Sequence, residues 1–224
     1  SPVAADEVPY YSISATANKK TTAQKLLGLS RLSPGGRLVA DSSLGPVTAT
    51  DVTGATSLWY IPYIHDQMVL WDGSDWMPYT IPSLSGSGWP LALASGSAWN
   101  TANKPHDVFA YVSSGAIALE YLVWSTTTAR ATSLTVYDGR LCKTGDKTRL
   151  YLGSFCATSS TTTDDSKAKR LIWNYYNQVP RSLRYVDSTS SWTYSTNAWR
   201  RARAQSAAKV EVCVGIDFGM VDLR

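Results

Sequence analysis

The sequence is poor in charge. Of its 224 residues, 17% are Asp, Glu, Lys or Arg, against roughly 25% in an average soluble domain. It has two histidines, His65 and His106, which stand apart in no HxxxH or HxE arrangement, so no metal site is indicated. Its three cysteines, Cys142, Cys156 and Cys213, are widely spaced, form no CxxC and are odd in number, which excludes a closed disulfide framework. Buried free thiols in a chain assembled in a reducing compartment are the expectation. No apolar run approaches the roughly 18 residues needed to span a bilayer, and the first residues lack a charged stretch followed by an apolar one. A soluble protein without membrane insertion or secretion signal is expected, and Ser1 in place of Met fits initiator removal, processing or trimming. GxSxG, GxxxxGK[ST] and GxGxxG are all missing, so neither the commonest nucleophile elbow nor a phosphate-binding loop is present, and no cofactor is indicated.

What is present is hydroxyl and aromatic. Ser and Thr together number 51, and nine Trp and thirteen Tyr stand beside three Phe. Trp and Tyr carry a polar handle and suit half-buried or interfacial positions. With 44% hydrophobic residues the chain can bury a real core in one large domain or two small ones. The formal net charge is +4, but the basic residues are scattered and only Arg200, Arg201 and Arg203 form a compact run. Nucleic acid is not an expected partner.

Residues 1–56 read as an extended N-terminal arm for anchoring or oligomerisation, with one short helix or turn over Thr21–Leu29 closed by Gly28 or by Pro34-Gly35-Gly36. The arm has too few apolar residues to fold alone and must dock on its own globular part or on another chain. From Ser57 the pattern changes to short runs rich in β-branched and aromatic residues, including SLWYIPYI, QMVLW, DVFAYV, AIALEYLVW and KVEVCVGI, most of them bounded by turn residues. Two hairpins are expected: Gln67–Trp71 with Trp76–Ile81, and His106–Val112 with Ala116–Trp124. The expected fold is mainly β, an antiparallel β-sandwich of jelly-roll-like form over residues 57–224, with the arm and one or two short helices. Asp164–Gln178 reads as helix or strand, with strand favoured for Arg170–Tyr176, and Thr196–Lys209 is the best remaining helix candidate. The polar run Ala157–Ser166 reads as a surface loop or a sheet-edge insertion.

Two acids facing each other across a groove would suit glycoside cleavage, and Asp72 with Asp75 or Asp164 with Asp165 are candidates by proximity alone. The plainer reading makes Asp72-Gly73 and Asp138-Gly139 turn formers and sets Asp164 in a solvated loop. No catalytic residue is assigned. Trp192, Tyr194 and Trp199 form either a glycan-stacking platform or, with Trp192 and Tyr194 alternating on one face of a strand, part of the core or an interface. Trp71 and Trp76 flank the first hairpin turn, where cross-strand aromatic packing stabilises.

Several segments resemble, in one order, those of tailed-bacteriophage virion structural proteins. These are YYSISATANKKTTAQKLLGL (Tyr10 to Leu29), GRLVADSSLGPVTATDVTGATSLWYIPY (Gly36 to Tyr63), MVLWDGSDW (Met68 to Trp76), KPHDVFAY, ARATSLTVYDGRLCKTGDKTRLYLGSF and DDSKAKRLIWNYYNQVPRSLR (Asp164 to Arg184). The resemblance covers nearly all of the chain from Tyr10. It implies a non-enzymatic virion protein of the tail fibre, head fibre or minor structural type, assembled in the bacterial host cytoplasm. A homo-oligomer, usually a trimer in this class, is implied with it, as are contacts of the arm with other virion proteins and attachment to a host surface glycan. No repetitive shaft follows IDFGMVDLR, so a short fibre, knob or capsid-attached appendage is expected, with a capsid-bound head fibre or decoration protein and a polysaccharide-degrading tail enzyme as alternatives.

Overall fold

Short runs rich in apolar, β-branched and aromatic residues build most strands of the computed structural model, which describes residues 7–10, 19–22, 32–82, 91–94, 99 and 101–217. In chain order the strands are β1 (Glu7–Tyr10), β2 (Lys19–Thr22), β3 (Gly36–Val39), β4 (Val52–Ala55), β5 (Ser57–Pro62), β6 (Gln67–Trp71), β7 (Trp76–Thr80), β8 (Leu91–Ala94) and β9 (Pro105–Ser113). They continue with β10 (Ala116–Val123), β11 (Leu134–Tyr137), β12 (Arg140–Lys143), β13 (Asp146–Cys156), β14 (Thr163–Asp165), β15 (Lys169–Arg170), β16 (Ile172–Asn174) and β17 (Glu211–Val212). Among the described residues the only helical pieces are the 3-10 turns Ser42–Leu44 and Ala202–Ala204. The fold is mainly β and sandwich-like, with antiparallel sheets and no closed barrel.

The largest sheet runs β10-β9-β13-β12-β11, and β16 also pairs with β13. One of its faces presents Val108, Ala110, Leu150, Leu152 and Phe155 to a second layer. That layer consists of the β3-β5-β8 sheet, which contributes Leu38, Leu58 and Tyr60, and the β6-β7 hairpin, which contributes Met68 and Leu70. Full burial of each Val, Leu, Met or Phe side chain among these is worth about 1.5–3 kcal/mol. A four-stranded sheet, β17-β15-β14-β4, contains a parallel pair, β15 with β17. β1 and β2 pair with each other.

Both expected hairpins form. β6 and β7 place Trp71 opposite Trp76, their rings 5.6 Å apart edge to face. Asp72 closes the turn by accepting from the backbone N–H groups of Ser74 and Asp75, each at 2.8 Å. β9 and β10 are joined by Ser114-Gly115, both at positive φ (50° and 81°), the two-residue turn that suits the twist of a hairpin.

Residues 36–55 depart from the expected arm. Residues 36–39 are buried throughout and pair with β5, and β4 pairs with β14, so residues 36–55 belong to the globular part and not to an arm reaching residue 56. The contacts that decide this come from far along the chain. The Asn174 side chain accepts from the Leu38 N–H at 2.6 Å and donates to the Leu38 carbonyl at 3.0 Å, completing the β3 edge as a strand would. Asn177 donates to the carbonyls of Pro34 and Gly36, and the carbonyl of Asn177 accepts from buried Arg37. Of the element expected over Thr21–Leu29, Thr21 and Thr22 lie in β2 and residues 23–29 fall outside the described residues. The strand favoured for Arg170–Tyr176 is found in part, as β16 and the end of β15, with Leu171, Tyr175 and Tyr176 outside any strand.

Replacing Asn174 by Ala leaves a buried N–H and a buried carbonyl on β3 without partners, each costing about 1–3 kcal/mol. Urea unfolding of Asn174→Ala is therefore expected to show a lowered midpoint, corresponding to about 2–6 kcal/mol of lost stability, at unchanged slope. An unchanged midpoint would mean that β3 is held by its pairing with β5 alone.

Candidate functional site

Trp192, Tyr194 and Trp199 lie on an excursion between Arg184 and Glu211 that contains no strand, only the 3-10 turn Ala202–Ala204. Its ends are pinned side by side: the Arg184 N–H donates to the Lys167 carbonyl at 2.6 Å and the Glu211 N–H to the Ala168 carbonyl at 2.9 Å. The three aromatic side chains are 50%, 40% and 105% exposed respectively. The core reading of Trp192 and Tyr194 is therefore overturned. A Trp-Thr-Tyr alternation needs a neighbouring strand and an apolar layer to become a buried face, and this segment has neither. The helix expected over Thr196–Lys209 is not formed either, since Arg203 adopts φ 55° and the stretch offers no apolar stripe to a packing partner.

The excursion does bring groups together. Trp192 and Tyr194 meet edge to face at 6.3 Å, and the Arg200 guanidinium lies 4.2 Å over the Tyr194 ring. The backbone N–H of Ala198 donates to the Tyr194 hydroxyl at 3.2 Å. Arg203 is tied to Asp187 and Thr189, and Arg201 donates to the Ser206 carbonyl. Arg200 has no acidic partner among the described residues.

The acids named from sequence are structural. Asp72 serves the β6-β7 turn, and the backbone N–H groups of Asp75 and Ser74 hold its carboxyl below the usual range. Asp164 is not solvated: it is buried in β14, accepts from the Gly54 N–H at 2.8 Å and pairs with Lys169 at 3.2 Å. Asp165, also buried, holds Arg170 at 3.0 Å and Arg181 at 3.2 Å. These pairs join β4, β14 and β15 to residue 181. Polar residues in Ala157–Ser166 thus include a buried strand, β14, between β15 and β4, where a surface loop or a sheet-edge insertion was expected.

The cysteines are free, and burial raises all three thiols, Cys142 to about 12. Such thiols stay protonated and are poor nucleophiles. Cys156 and Cys213 line a cleft of about 520 Å³ with Trp124, Thr158, Lys169 and Glu211. Lys169 lies 3.9 Å from Glu211 as well as beside Asp164, so the charges in this cleft neutralise one another. The cleft offers polar contacts but no activated nucleophile. Among the described residues no group of three or more His, Cys, Asp or Glu side chains is placed to hold a metal ion.

Sequence reasoning missed a buried polar network on the other face of the large sheet. Asp107, 1% exposed, accepts from Ser154 Oγ at 2.7 Å and pairs with Arg130 at 2.9 Å. The Tyr151 hydroxyl lies 2.6 Å from Ser154 Oγ, and the Arg130 guanidinium stacks over Trp124 at 4.5 Å. Arg130 also donates to the Gly215 carbonyl, tying the chain beyond β17 to the sheet. The available signal was the His-Asp pair interrupting an apolar strand. His106 beside it is buried, stacks on Phe155 at 4.7 Å and has its ring nitrogens 3.0 Å from the Lys104 and Trp99 carbonyls. Burial outweighs those carbonyls and holds the imidazole below its ordinary value.

Comparison of the chain with protein-family models, curated proteins and solved structures gives no match.

Two outcomes follow from the network. Arg130→Gln leaves a buried carboxylate unpaired and is expected to cost about 3–5 kcal/mol of stability, read by urea unfolding at pH 7. Because the folded-state pKa of His106 lies below the unfolded value of about 6.5, its contribution is present above that pH and is lost as the pH falls below it. His106→Gln should shrink the difference between urea midpoints at pH 7.5 and pH 5.0; an equal difference in both proteins would assign the acid sensitivity to carboxylates.

Proposed function

We propose that this chain is a non-enzymatic structural protein of a tailed-bacteriophage virion, a short tail fibre or fibre-like appendage that takes part in host attachment. The observation that carries the reading is the exposure of Trp192, Tyr194 and Trp199 on a pinned excursion from a β domain whose other notable polar groups serve its own structure. A long irregular segment in a compact domain, rich in aromatic residues and left in solvent, is characteristic of a binding element. The ordered set of motifs from Tyr10 to Arg184 supports placing that element on a virion. Free, protonated thiols suit assembly in a bacterial cytoplasm, and a Ser/Thr-rich surface suits an appendage that must stay soluble with few charges.

The residues before Leu32 are the anchoring arm in this reading, and the assembled form is a homotrimer. The excursion contacts a host surface glycan. Residues 34–39 are held by Asn174, Asn177 and β5, so the truncation that tests the arm stops at residue 31.

A chain lacking residues 1–31 is expected to unfold at the same urea concentration as the full chain yet to be missing from purified particles, scored by antibody labelling of virions. The full chain should be found on particles and should sediment at three times its monomer mass. Abundance in infected-cell lysate with no trace on particles would reject the virion assignment, and incorporation of the truncated chain would reject the anchoring role.

A further inference from the structure

The excursion carries a chemical bias. Residues 188–210 contain Arg200, Arg201, Arg203 and Lys209 and no acid, while the whole chain has a formal net charge of +4. Counted over the whole excursion, 185–210, which also holds Asp187, the segment carries +3 of that +4. Arg203 and Lys209 are matched by Asp187 and Glu211 at the edges of the segment. Arg200 and Arg201, both exposed, have no acidic partner among the described residues.

Three classes of ligand compete for an exposed, cationic and aromatic surface. Nucleic-acid binders commonly neutralise about 6–10 phosphates, and two free guanidinium groups are too few for that footprint. Protein interface cores are depleted in Ser, whereas here the aromatic residues are interleaved with Ser190, Ser191, Thr193, Ser195 and Thr196. A sugar polymer matches the remaining features. The C–H face of a pyranose packs on an indole or phenol ring, its hydroxyls bond to short polar side chains, and a carboxylate on the ring suits the fork of an arginine. Trp192 and Tyr194 already form an aromatic corner, and Arg200 sits over the Tyr194 ring at its rim.

Resting on the attachment reading above, we infer that residues 188–203 bind an acidic polysaccharide, with Trp192 and Trp199 taking sugar faces and Arg200 taking the ring carboxylate. The acid, and not the sugar backbone alone, is the selected feature.

The test uses the full chain and four immobilised probes: polygalacturonate, hyaluronate, fully methyl-esterified polygalacturonate, which has the same backbone without charge, and a single-stranded thymidine oligonucleotide. Retention on at least one acidic polymer, at least tenfold tighter than on the esterified form and weakening as salt rises, is the expected result. Trp192→Ala and Trp199→Ala should each weaken that binding about tenfold, and Arg200→Gln should abolish the preference for acid over ester while leaving residual binding to both. All three side chains are exposed, so urea midpoints should not move. A second variant, in which residues 186–209 are replaced by a short Gly/Ser linker between the adjacent anchors at Arg184 and Glu211, should fold and lose binding.

Equal retention on acid and ester, tighter retention on the oligonucleotide, or no retention on either acidic polymer would each overturn the inference. So would a lowered urea midpoint in the Trp variants, which would make those residues packing contacts. The attachment reading fails separately: a chain that binds acidic polymer but is never found on particles keeps the site and loses the virion role, while a particle-borne chain without acid preference does the reverse.

Discussion

At Gly153 the carbonyl of Trp173 lies 2.1 Å from where a β-carbon would stand, and a Leu38 methyl lies 3.1 Å from the same point. This close approach governs how the chain fits together, because β13 is the strand on which most of the molecule is assembled. β9 lies along one side of it, β12 and β16 along the other, and β3 packs over it. A residue with any side chain at position 153 would push β16 away, and with it Asn174 and Asn177, the groups that hold β3 in place. A bulge falls between Tyr151 and Gly153 and shifts the alternation by one residue, so that Phe155 joins Leu150 and Leu152 in the main core while Ser154 joins Tyr151 on the opposite face. One strand thereby supplies an apolar layer on one side and the hydroxyl of a buried polar network on the other.

A sequence so poor in charge still places several charged residues inside. Asp107 with Arg130, Asp165 with Arg170 and Arg181, and Arg37 beneath the 174–177 segment are all buried or nearly so. Buried ion pairs add little net stability over apolar packing but are costly to break, so they fix which segments meet more than how tightly they hold. Here each pair joins segments that hydrophobic patterning alone would leave loosely specified: the 125–133 loop and the chain after β17 to the large sheet, and residue 181 to the small one. Against this pairing an exposed Arg200 with no acidic partner among the described residues stands out.

Local features were legible in the sequence and distant ones were not. Trp71 and Trp76 could be placed across a hairpin because four turn residues separate them and Asp72 bonds its own neighbours. Ser114-Gly115 was equally plain. The end of the arm was not, since it depends on Asn174 and Asn177 reaching Leu38 and Pro34 across most of the chain, and Gly36-Arg37-Leu38-Val39 looks no different alone from an exposed extended run. Asp164 read as solvated because acids next to Ser and Thr usually are, and only the arrival of Gly54 and Lys169, with Arg170 and Arg181 at the neighbouring Asp165, makes the pair interior. Trp192 and Tyr194 failed in the opposite direction. Their alternation is that of a strand, but periodicity reports which side chains share a face and is silent on whether any layer exists to cover it.

The exposure of those aromatic residues has an energetic consequence that bears on function. A segment left in solvent contributes little burial, so its cost to the fold is mainly the entropy of closing a loop, which grows only slowly with length. With Lys167 and Ala168 pinning both ends, the ends are already where even a short connection would put them. The β domain therefore gains almost nothing from the identity of residues 186–209 and is free to carry any sequence there. Two tryptophans, a tyrosine and an excess of arginine are an unfavourable choice for a mere connector, because they expose apolar surface at no gain to the fold. Their presence at the position where the fold constrains sequence least is the strongest physical argument that a ligand, and not the domain itself, accounts for them.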